Sequence, residues 1–152
     1  VRTVMQGLGR DMSSSNDDAA LLRKLGIDAP EGVLRTDFYI GNALQVEIGD
    51  EDRVSFIGIA PHADIRATFK GLDVFDIAGL ALFDELKDQF DAADVVFDDA
   101  EVLFPDQILT LWNADPQYDL KGERFPVWGQ IGVGTPEYFK AVDGSGTPSR
   151  RN

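Results

Sequence analysis

Apolar and polar residues alternate through the middle of the first half of the chain. Leu44, Val46 and Ile48 are separated by Gln45 and Glu47, the two-residue period of a strand with one buried and one wet face. The surrounding stretch, VLRTDFYIGNALQVEIGDEDRVSFIGIA (33–60), predicts three antiparallel strands with turns at Gly41-Asn42 and over 49–52. Its last run, 54–60, is apolar on both faces and is expected at the centre of a sheet. After Pro61, DIRATF (64–69) places Ile65, Ala67 and Phe69 on one face of a fourth short run.

Helical spacing replaces alternation in two places. SSSNDDAALLRKLGID (13–28) predicts a short helix, with Ser15 or Asn16 as its cap, Asp17 and Asp18 in its first turn and Gly26 as its stop. Leu21, Leu22 and Leu25 form its apolar stripe. DIAGLALFDELKDQFD (76–91) predicts a second helix, capped by Asp76, with Leu82 or Phe83, Leu86 and Phe90 inward and Asp84, Glu85, Lys87 and Asp88 outward. ADVVFDDAEVLFPDQILTLWNADP (93–116) returns to short strands broken by Asp98-Asp99 and Pro105. A polar excursion (115–126) leads to the apolar run VWGQIGVG, then TPEYFKAV, then a disordered tail, DGSGTPSRRN (143–152).

The two halves share this order. Each is a helix followed by three or four strands, and the Pro-containing TPEYF of the second stands where PHADIRATF stands in the first. The reading is a single α+β domain over 1–142, with repeats at about 13–71 and 72–142. Joined edge to edge, they make a two-layer antiparallel sheet with two helices on one face and the other face open for binding.

Composition narrows the class. A chain of 152 residues that is 43% hydrophobic can bury a core unaided, and it has no cysteine for a disulfide or a thiolate metal site. No apolar run has membrane-spanning length, so no membrane association is expected and the cytoplasm is the expected compartment. The net charge of −13 is concentrated: residues 72–106 hold eleven carboxylates against Lys87 alone. Such a field repels phosphates, which argues against direct nucleic-acid binding, and attracts a basic protein. A solvated face that keeps the chain soluble is the plainer account of the same run.

Catalytic chemistry has little to stand on. His62 is the single histidine, too few for a multi-histidine zinc site, and as a base it has only Asp64 close by in sequence, with Tyr39 at a neighbouring strand end. None of the serines lies in a G-x-S-x-G elbow. GQIGVG is not followed by the lysine and hydroxyl of a phosphate loop. The acidic runs lack the calcium-loop spacing of an EF-hand. No cofactor and no metal are expected. The candidate partner-binding residues are Asp84, Glu85, Asp88, Asp91, Asp94, Asp98 and Asp99, with Trp112, Tyr118 and Trp128 as aromatic anchors around the polar excursion.

The segments DRVSFIGIA, FKGLDVFD, LFDEL, VLFPDQILTLWNADP and VWGQIGVGTPEYF resemble those of a group of small acidic bacterial proteins, over about residues 35–140. Some small bacterial proteins of this kind act as immunity partners of toxins. The helix-plus-strands repeat is similar in outline to the β-lactamase-inhibitor-like fold, which LLRKLGID echoes without that fold's usual proline. The resemblance implies no catalytic residue. With the charge pattern it leads to the expectation of a non-enzymatic immunity-type inhibitor of a basic toxin or enzyme. The alternatives are an anionic decoy that imitates DNA, begun by Asp84, Asp88, Asp91 and Asp94, and a small-ligand binder or enzyme using His62, Asp64 and Tyr39 on the open sheet face.

Overall fold

Backbone pairing turns these runs into one antiparallel sheet. The computed structural model describes residues 9–15, 35–49, 52–116 and 126–142. The expected helix with Leu21, Leu22 and Leu25, Tyr118 in the polar excursion, and the tail lie outside the described residues. The strands are β1 (Arg10–Ser15), β2 (Arg35–Tyr39), β3 (Leu44–Ile48), β4 (Val54–Ile59), β5 (Thr68–Phe69), β6 (Leu72–Asp73), β7 (Glu101–Phe104), β8 (Leu109–Asp115) and β9 (Val127–Gly134). The helices are α1 (Gly79–Phe90) and α2 (Pro136–Val142).

Seven strands form the main sheet in the order β1-β2-β3-β4-β9-β8-β7, and every neighbouring pair is antiparallel. Two meanders, β2-β3-β4 and β7-β8-β9, thus meet through their last strands, with Ile57 opposite Val133 and Gly58 opposite Gly132. The α+β class and the three strands of 33–60 are as the alternation predicts. The β2–β3 turn is made by Ile40, Gly41 and Asn42, all at positive φ (55°, 60° and 66°), conformations that Gly and Asn tolerate best.

Cross-strand partners share a face, so the register sorts the side chains. On one face lie Val102 and Phe104 of β7, Leu109 and Leu111 of β8, Ile131 of β9, Ile59 of β4, Leu44 of β3 and Tyr39 of β2. Helix α1 buries Leu82, Phe83 and Leu86 against the β7–β8–β9 part of this face, together with Val74 and Phe75. A smaller cluster of Tyr39, Val46 and Ile48 continues the layer over the first meander.

Helix α1 starts two residues later than its sequence pattern predicts. Ala78 occupies the cap position without a side-chain hydrogen bond, and Asp76 instead closes a turn on Asp73. The amide of Gly79 donates to the Pro126 carbonyl at 2.7 Å, so the residue just before β9 supplies what a local cap would otherwise give. The helix ends at Asp91, left-handed at φ 51°, where the Ala92 amide donates to the Lys87 carbonyl.

Three segments depart from the sequence pattern. The serines at 13–15, expected to open the first helix with Ser15 or Asn16 as its cap, belong to β1, which pairs with β2; the pairing is long-range and serine's own weak strand preference gives no sign of it. DIRATF contributes only Thr68 and Phe69 to a strand, and that strand pairs with β6 in a separate hairpin turned by Lys70 and Gly71. TPEYFKAV is a helix rather than a strand run. Thr135 accepts hydrogen bonds at its start from the amides of Tyr138 and Phe139, and Pro136 takes the first helical position, where no amide is needed.

Helix α2 also corrects the expected layering. Tyr138 stacks on Phe56 with ring centroids 4.5 Å apart, and Phe56 shares its face with Gly58, Gly132 and Gly134 by register. That is the face opposite α1, so the two described helices sit on opposite sides of the sheet.

Candidate functional site

The acidic stretch begins on the outer side of α1. Asp84, Glu85 and Asp88 are exposed there, and Asp91, Asp94, Asp98 and Asp99 remain exposed through the connection to β7. Lys87, the single cation of this stretch, is turned inward: its Nζ donates to the Val95 carbonyl at 2.7 Å and lies 5.8 Å from the centroid of the Phe83 ring. This contact leaves the carboxylates as the outward charge of the segment.

The end of the acidic stretch is held against β8. The Ala100 amide donates to the Asp98 carboxylate, while the amides of Asn113 and Ala114 donate to the carbonyls of Ala100 and Asp99, each at 2.8 Å. These bonds place Asp98, Asp99 and Glu101 beside Trp112, which pairs with Glu101 and is 50% exposed. Asn113 adopts φ 51°, and after this kink Ala114 packs with the α1 core whereas Trp112 does not.

Trp128 is a correction. It is 0% exposed, its indole Nε1 donates to the Gly79 carbonyl at 3.0 Å and its ring lies 5.8 Å from that of Phe97. A central strand facing a helix buries the large aromatic it carries, so Trp128 anchors the core and is not available to a partner. Tyr118, the remaining aromatic candidate, lies outside the described residues.

Besides Trp112, the face opposite α1 carries residues the sequence pattern did not single out as a site. Three rows cross it: Glu101, Trp112 and Gln130; Leu103, Thr110, Gly132, Gly58, Gln45 and Phe38; and Gly134, Phe56, Glu47 and Thr36. Gln130 Nε2 donates to Gln45 Oε1 at 3.0 Å and Gln45 Nε2 donates to Glu47 Oε1 at 2.8 Å. Burial pushes the Glu47 carboxyl above the usual carboxylate range, against the opposing pull of the Gln45 bond. The alternation of Gln45 and Glu47 in β3 did signal a polar face, but their partner Gln130 is 85 residues away from Gln45.

Tyr138 responds to the same surroundings. Burial, then the charges of Glu47 and Glu101, push its phenol up to about 12 from 10.0. A raised folded-state value means that the folded protein keeps a proton the unfolded chain has lost. Stability from this group is therefore complete below pH 10 and lost as the pH rises from 10 to about 12. In denaturant titrations over that range, wild type should lose stability more steeply than Tyr138→Phe. Equal slopes would show that Tyr138 titrates normally.

The candidate catalytic set does not converge through the contacts seen. The Tyr39 hydroxyl donates to Asp37 Oδ2 at 3.5 Å within the α1 face, next to the Arg35–Asp37 ion pair. His62 Nδ1 instead accepts the Asp64 amide at 3.2 Å and lies 3.9 Å from Asp64 Oδ2. Among the described residues no three His, Cys, Asp or Glu side chains are grouped so as to hold a metal ion. Among them, too, no helix is long and apolar enough to cross a membrane.

Fold and surface together define an α+β protein with a mixed aromatic and acidic face. No family model, no curated protein and no solved structure matches the chain.

Proposed function

We propose that the chain is a non-enzymatic interaction module, an immunity-type inhibitor that captures a basic toxin or enzyme through its acidic surface. The observation that carries this reading is continuity: seven exposed carboxylates run from the outer side of α1 to β7 and end beside the half-exposed Trp112. Exposed charges contribute little to folding. Gathered in one sign, they accelerate encounter with an oppositely charged partner, and an aromatic at their margin supplies the contact that excludes water.

Reversing Asp84, Asp88, Asp91 and Asp98 to Lys is expected to slow association with a basic partner recovered from the native host by about tenfold or more. The fold should persist, because these side chains are exposed while Leu82, Leu86 and Phe90 remain. Raising the salt with the wild type should reproduce part of the slowing. A folded variant that associates at the wild-type rate would reduce the acidic stretch to a solvated face.

A further inference from the structure

We infer that the sheet face opposite α1 holds a receptor for an arginine side chain of the partner, formed by Trp112 and Glu101 with Gln130 alongside. The inference rests on the reading above, that the partner is basic, and assigns the point at which it is gripped.

The placement follows from register. Glu101 and Gln130 are the cross-strand neighbours of Trp112 on its two sides, and side chains so related lie within about 5 Å at their Cβ atoms. Trp112 therefore stands between a carboxylate and an amide on one face, half in solvent. An indole offers a flat, electron-rich surface to a cation, and a carboxylate accepts two parallel N–H bonds from a guanidinium. A planar guanidinium can use both at once, whereas a lysine ammonium binds as a point charge without the stacking plane.

The charge of these three strand rows agrees. The three rows contain Glu47 and Glu101 and no Lys or Arg, so this surface complements a cation. Glu47 is committed to Gln45 and partly withdrawn from water, whereas Glu101 is exposed and so available to a partner. Asp98 and Asp99, held by the backbone bonds to β8, extend the negative field to the rim of the receptor. The acidic outer side of α1 would attract the partner, and this face would select arginine within it.

The test uses the full chain and two acetylated, amidated peptides, hexa-arginine and hexa-lysine, titrated by calorimetry at physiological salt. The arginine peptide should bind more tightly than the lysine peptide. Trp112→Ala and Glu101→Gln should each weaken arginine-peptide binding by about tenfold and bring the two peptides close to parity. Glu101→Gln preserves shape, so its loss of binding cannot be ascribed to altered packing; far-ultraviolet circular dichroism checks the fold of both variants. A second arm carries Asp84, Asp88 and Asp91 reversed to Lys. If that variant binds weakly while Trp112→Ala and Glu101→Gln bind as the wild type does, the receptor is overturned and the acidic-surface reading stands. Binding of neither peptide by the wild type would overturn both.

Discussion

Replacing Trp128 with alanine is expected to destabilise the folded protein by about 4 kcal/mol, the range found when a large buried aromatic is removed. The side chain is fully buried against Phe97, and its indole donates to Gly79 at the start of α1. Two terms are lost together: the packing of the ring, and a bond that fixes where the helix begins. Trp128→Phe separates them, because it retains most of the apolar volume and removes the donor; it should cost about 1–2 kcal/mol. Urea denaturation followed by far-ultraviolet circular dichroism measures both. A loss below about 1 kcal/mol for the alanine variant would contradict the placement of Trp128 at the centre of the α1 layer.

Gly132→Ala should be nearly as damaging although it adds one methyl group. A Cβ built at Gly132 falls 2.1 Å and 2.4 Å from two atoms of the Phe56 ring and 2.9 Å from Thr110 Oγ1, where carbon atoms normally approach to about 3.5–4.0 Å. The ring has little room to yield, since Phe56 is itself buried and Tyr138 is stacked on its other side. Overpacking of this kind costs about 3 kcal/mol. A double-mutant cycle tests the cause: with Phe56→Leu in the background the added methyl should cost much less, a coupling of about 1–2 kcal/mol. Strictly additive losses would show that the Phe56 ring is not what Gly132 accommodates.

Legibility in the sequence followed the range of the interactions. The alternation of Leu44 to Ile48 and the three- and four-residue spacing of Leu82, Phe83, Leu86 and Phe90 are local patterns, and each produced the element it predicts. The burial of Trp128 is not legible in the sequence, because VWGQIGVG says that a central strand is present but not which of its faces meets a helix. The start of α1 was misplaced because its first amide is satisfied by Pro126, 47 positions further along the chain. Helix α2 had a local signal, Thr-Pro-Glu, with a capping residue, a proline at the first turn and an acid after it. The parallel with PHADIRATF in the first half points to a strand there, and the local signal is the one the chain obeys. The hydrogen-bonded chain of Gln130, Gln45 and Glu47 could not be assembled from sequence spacing, since it exists only once β4 and β9 pair.

That same β4–β9 seam bears on how the chain reaches its structure. Within each meander, neighbouring strands are close in sequence and can pair early, whereas Gly58 and Gly132 meet only after a loop of more than 70 residues closes. Closing so long a loop carries an entropic cost before any contact rewards it. If the two meanders form first, docking of the seam is the slow event, and interactions made there govern the folding rate while those on α1 govern mainly the unfolding rate. The paired glycines then serve kinetics as well as packing: they let two preformed sheets approach along a line where side chains would otherwise have to be sorted during the rate-limiting encounter.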